Sequence, residues 1–137
     1  MNRPSIRRAL PILVVIGAAA LVAACTTPAA SVAPSASTLT VQEQITATKA
    51  GLDEALAAYQ TGDEAKADQL AGDAYLEHFE FVEGPLDAVD KELTEELEDL
   101  IRDDLREAIK AGKPVSEIEA MINEARTKLD EAAQKLQ

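Results

Sequence analysis

The chain has 137 residues, 47% hydrophobic and 28% charged, which is the balance of one folded domain and not of a disordered chain. Aromatic residues make up only 3% and Trp is absent, so a core must be built from Leu, Ile, Val and Ala, which suits packed helices better than a β-sandwich. The formal charge is −12, and setting aside the three Arg that precede Cys25 leaves 10 Lys and Arg against 25 Asp and Glu, a surface that repels nucleic acid and anionic lipid and attracts cations or basic partners.

Residues 1–24 have the layout of a lipoprotein signal peptide. Arg3, Arg7 and Arg8 form a positive start, Ala9 to Leu21 is apolar except for the breaks at Pro11 and Gly17, and small residues lead to the single cysteine. The ending Leu21-Val22-Ala23-Ala24-Cys25 resembles the bacterial lipobox. That resemblance implies cleavage before Cys25, lipidation of its sulfur and an extracytoplasmic domain held to the membrane by lipid. A non-lipidated signal and an uncleaved anchor are the alternatives. With Cys25 consumed, the exported chain keeps no thiol, which excludes disulfides and cysteine-based metal sites or nucleophiles. Residues 25–37 are then the lipidated cysteine and an uncharged Pro/Ala/Ser tether without apolar periodicity.

Over 38–137 the apolar period is that of helices. Val41, Ile45, Leu52, Leu56 and Tyr59 mark the first, opened by a capping box at Thr40 and Glu43 and closed at Gly62. Asp63 caps a second helix with Ala67, Leu70, Ala71, Ala74, Tyr75, Phe81 and Val82 on its apolar side, which the pattern ends at Gly84-Pro85. Leu86, Val89, Leu93, Leu97, Leu100, Ile101, Leu105, Ala108 and Ile109 trace a third, ending at Gly112. Ser116 to Glu119 reads as a capping box for a fourth, carried by Ile118, Met121, Ile122, Ala125, Leu129 and Leu136. Four amphipathic segments with short connections and no strand signal predict an all-α, antiparallel four-helix bundle, with a helical array or a dimer-completed core as alternatives.

The unusual chemistry is concentrated in Asp73 to Glu83, which holds both Phe, one of the two Tyr and the only His. On a helical wheel Asp73, Glu77 and Glu80 share one flank and Glu83 lies farther round. Such a row is either a solvated acidic face or an oxygen-rich cluster suited to a hard cation such as Ca²⁺, Mg²⁺, Mn²⁺ or iron. His78 falls within the apolar arc, where a buried, hydrogen-bonded role competes with ligation. Tyr59 and Tyr75 face inward with hydroxyls that need partners. With one His, no free Cys and no Gly-rich phosphate loop, the chain reads as non-enzymatic.

Ala58-Tyr59-Gln60-Thr61-Gly62-Asp63, followed by Ala67, Leu70, Ala74-Tyr75-Leu76-Glu77, Phe79-Glu80 and Val82-Glu83, resembles the extracytoplasmic helical domain of bacterial FTR1-family iron permeases. The likeness runs from about Leu52 to Ala133. It implies a helical domain serving iron uptake, with Glu77, Glu80 and Glu83 as the acidic members of the motif and Tyr75 and Phe79 as its aromatic ones. His78 departs from the motif, which has a small residue there. The transport motif Arg-Glu-x-x-Glu finds only Arg106-Glu107-Ala108-Ile109-Lys110, so this chain is not expected to move iron through a membrane itself. The expectation is a lipid-anchored accessory in iron or other metal uptake, with Glu77, Glu80, Glu83 and Asp73 as cation ligands and a separate permease or another envelope protein as partner. The rival is an envelope lipoprotein that binds a protein partner through its helix faces and no metal.

Overall fold

The computed structural model describes residues 38–137, and the expected signal peptide, the expected lipidation at Cys25 and the expected tether lie outside them. Helix α1 spans Val41–Gln60. A second rod, 64–87, is built from α2 (Glu64–Ala74), a π-helical turn (Tyr75–Phe79) and α3 (Glu80–Asp87). The third rod, 91–110, repeats that plan with α4 (Lys91–Glu98), a π-helical segment (Asp99–Asp104) and α5 (Leu105–Lys110). Helix α6 spans Val115–Lys135. The described residues are all-α, as the periodicity predicts.

Most helix ends follow from local chemistry. Thr40 and Glu43 close their capping box, and the Asp63 side chain accepts the Lys66 N–H at 3.1 Å. At Gly62 and Gly112 φ is +84° and +63°, the left-handed conformation that costs a Cβ dearly. In both loops two backbone bonds fold back over the last turn, Asp63 N–H to the Ala58 carbonyl and Gly62 N–H to that of Tyr59, then Lys113 N–H to Ala108 and Gly112 N–H to Ile109. Asp63 thus closes one helix with its N–H and opens the next with its carboxylate.

Two boundaries differ from the pattern. The second rod does not stop at Gly84-Pro85. Pro85 lacks an N–H and forfeits one bond near the helix end, but the Asp90 N–H still reaches the Leu86 carbonyl at 2.7 Å, so the helix runs to Asp87 and Asp90 caps the next. Leu86 therefore packs from the second rod, and Val89 is exposed in the connection. The box at Ser116 also does not form: α6 opens two residues earlier, at Val115 with Pro114 at the cap, and the Pro114 carbonyl takes the Glu117 N–H at 2.8 Å.

The π segments answer a spacing problem. Ala67, Ala71, Tyr75 and Phe79 are all buried at steps of four, as are Leu93, Leu97, Ile101, Leu105 and Ile109. Four residues of α-helix overshoot a turn by about 40°, so such a row drifts off the core unless a wider turn sets it back. The wider turn also corrects the aromatic assignment: Phe79 is fully buried, whereas Phe81, expected inside, is only half-buried.

Contacts between rods run in opposite senses along the chain. From α1 to α6, the Gln42 side chain reaches the Ala133 carbonyl, Lys49 pairs with Asp130 and Asp53 with Arg126. Asp68 pairs with Arg106 at 2.8 Å, Arg102 lies over the Tyr75 ring, and between the third rod and α6 the pairs are Asp90 with Lys135 and Glu96 with Lys128. One core of aliphatic side chains plus Tyr59, Tyr75 and Phe79 fills the centre, and no buried side-chain N or O among the described residues lacks a hydrogen bond.

Candidate functional site: an acidic groove between the first two helices

The α1 and α2 helices come into close contact where Gly51 faces Ala74, since a Cβ on Gly51 would stand 2.8 Å from the Ala74 Cβ. Either helix with a larger residue there would be pushed outward. Around that contact lies a groove of about 290 Å³, with a floor of small side chains and with Glu54, Asp73, Glu77 and His78 on its walls. Asp73, Glu77 and His78 come from the stretch singled out by the sequence; Glu54 comes from α1.

His78 is half-buried, and its Nδ1 lies 2.9 Å from the Oε1 of Gln44, a residue only 1% exposed. An amide oxygen accepts, so Nδ1 donates, and in the neutral ring Nε2 then carries the lone pair. The expected hydrogen bond is present, but the expected burial is not: the ring is only half-buried and lies at the edge of the groove, outside the apolar centre. Asp73 accepts a long hydrogen bond of 3.4 Å from Gln69. Glu77 and Glu54 are exposed and free to change rotamer.

The four carboxylates of the expected row do not stay together. Glu80 is exposed and is not part of the groove wall. Glu83 turns to the far side of the rod, where its Oε1 accepts the Tyr75 hydroxyl at 2.6 Å and Arg102 sits with its guanidinium 5.8 Å from the Tyr75 ring centre. Arg102 is itself held by Glu98 and by Asp103, the latter at 2.9 Å. Burial, followed by repulsion from Glu98 and Glu80, pushes the Glu83 carboxyl above its ordinary range, although the Tyr75 hydroxyl works in the other direction. Burial and the neighbouring Glu83 likewise raise the Tyr75 phenol, which stays protonated and donating. The other inward hydroxyl, Tyr59, donates to the Lys113 carbonyl at 2.5 Å.

Two contributors were not marked by the sequence. Gln44 and Glu54 belong to no motif in the sequence; only the bond of Gln44 to His78 and the place of Glu54 on the groove wall give them a role. Among the described residues no three His, Cys, Asp or Glu side chains converge closely enough to hold a metal ion as they stand. The groove is an open, negatively lined concavity with one imidazole, able to attract a cation and to close on it only by rotation of its exposed carboxylates. No described helix is long and apolar enough to cross a membrane.

Comparison of the chain with protein-family models, with curated proteins and with solved structures returns no match, so the likeness to the iron-permease domain rests on the residues quoted for it alone.

Proposed function

We propose that the domain is a lipid-tethered, extracytoplasmic capture module for metal cations that serves iron uptake beside a separate permease. The observation that carries this reading is the α1–α2 groove, where Glu54, Asp73, Glu77 and His78 line one concavity. Carboxylate oxygens suit hard cations, and an imidazole nitrogen extends the donor set toward Fe²⁺. The 25 acidic residues of the chain raise the local cation concentration before any ligand is engaged. Within the groove the exposed Glu54 and Glu77 swing in, Asp73 is already at the wall, and Gln44 orients the ring of His78. Glu80 and Glu83 leave the ligand set, Glu83 because it is committed to Tyr75.

Supporting iron as cargo is the resemblance of 58–83 to the permease domain, and supporting the anchor is the lipobox ending at Cys25. Capture and not conduction is favoured because Arg106, in the nearest match to a transport motif, is occupied with Asp68 at 2.8 Å. The test is an anaerobic Fe²⁺ titration of residues 38–137 by equilibrium dialysis. The parent should bind saturably at micromolar metal, Asp73→Asn/Glu77→Gln should bind about tenfold or more weakly, and Glu80→Gln should match the parent. Absence of saturable binding, or equal binding by the Asp73/Glu77 variant, would overturn the assignment.

A further inference from the structure

The seam between the third rod and α6 carries a second groove, which the proposed cation site does not use. It consists of two adjoining hollows, of about 300 and 390 Å³, that share Asp104 and Met121. One wall is an acidic row on the third rod, Glu96, Asp99, Asp104 and Glu107, at steps of three, five and three. On an α-helix a step of five overshoots a full turn by about 140° and would carry Asp104 off this face. The π segment Asp99–Asp104, whose backbone bonds span five residues, returns it to the same side. Opposite stands α6, with half-buried Met121 between Glu117 and Glu124, and the Leu100 and Ala108 side chains form an apolar base.

The bases of the groove stand toward its ends: Lys128 Nζ is 2.7 Å from Glu96, and Lys113 Nζ is 3.2 Å from Glu117. Between them, Asp99, Asp104 and Glu107 are exposed and make no ion pair or side-chain hydrogen bond among the described residues. An apolar base with a polarizable thioether, edged by three uncommitted carboxylates, is the complement of a helix that is basic on its flanks and apolar along one line. From Glu96 to Glu107 the row is about 16 Å long, roughly three helical turns of a partner. A second copy of this chain does not fit, because it brings the same acidic excess, and an anionic bilayer is repelled for the same reason.

We propose that this seam docks a cationic amphipathic helix of a partner protein, with Lys or Arg side chains on Asp99, Asp104 and Glu107 and an apolar side chain on Met121. The contact is independent of metal capture in the α1–α2 groove. The probe is a synthetic 14-residue helical peptide with Lys along both edges of a Leu stripe, compared with a scrambled peptide of equal composition. Binding to residues 38–137 is read by fluorescence anisotropy at physiological ionic strength, where the general field of the surface is screened. The helical peptide should bind about tenfold or more tightly than the scrambled one. Asp99→Asn/Asp104→Asn/Glu107→Gln should erase that margin, and Asp73→Asn/Glu77→Gln should preserve it. Equal binding of the two peptides, or equal losses in the two variants, would overturn the proposal by reducing the attraction to net charge. Both variants are checked for parent-like melting, and because Asp99, Asp104 and Glu107 are exposed and unpaired, no change in fold is expected from the first.

Discussion

Glu83 shows how far one side chain can depart from its place in a pattern. In the sequence it is one carboxylate of a row; in the folded domain it is the acceptor for Tyr75 and a neighbour of Glu98 and Glu80. Its raised pKa makes a signed prediction. A carboxyl that holds its proton more tightly when folded gives its full contribution to stability below its unfolded value, near 4.5, and that contribution falls as pH rises to the folded value. Glu83→Gln keeps an acceptor for the Tyr75 hydroxyl and removes the titration. The variant should therefore melt at a higher temperature than the parent at pH 7, with the gap closing below pH 4, measured by circular dichroism; a variant that melts lower at pH 7 would show that the charge on Glu83 is stabilising. His78 teaches the complementary lesson. A hydrogen-bonded role for it was legible, but neither its half-buried place at the groove edge nor its partner Gln44 was, because a polar residue 34 positions away acquires meaning only when two helices are brought into contact.

At the scale of elements, the caps were the most legible features, since each depends on residues within a few positions of one another. Thr40 with Glu43, Asp63 with Lys66, and the glycines at 62 and 112 all occupy the roles their chemistry dictates. Pro85 and Ser116 depart from their patterns for opposite reasons. A proline near a helix end removes one bond without removing the turn, and a well-spaced Ser and Glu do not form a box when Pro114 has already fixed the entry to α6. The π segments were written in the sequence as runs of buried residues at steps of four, a period that an ordinary helix cannot keep on one side. They also decide which Phe is structural. Phe79→Ala should cost about 3–5 kcal/mol in chemical denaturation and Phe81→Ala about 1–2 kcal/mol. An uninterrupted α-helix predicts the reverse order, so the pair distinguishes the two backbones.

For the whole molecule, four amphipathic stretches separated by short loops were enough to predict the bundle, because burying four apolar stripes against one another has few solutions. The distribution of charge around it was less accessible. A wheel drawn for one helix assigns Asp73, Glu77 and Glu80 to a common flank, but a groove is made by two helices, and its depth here comes from the close approach of Gly51 and Ala74. Two concave acidic surfaces result, one beside His78 and one beside Met121, and the ligands we propose for them differ: a metal cation in the first and a basic helix in the second. Metal capture in the first groove is checked by the metal content of the full chain purified from cell envelopes without chelator, set beside the same chain carrying Asp73→Asn/Glu77→Gln. The parent should carry iron or another transition metal and the variant about tenfold less at equal protein; a metal-free parent, or equal metal on both, would rule out the groove as the site of capture.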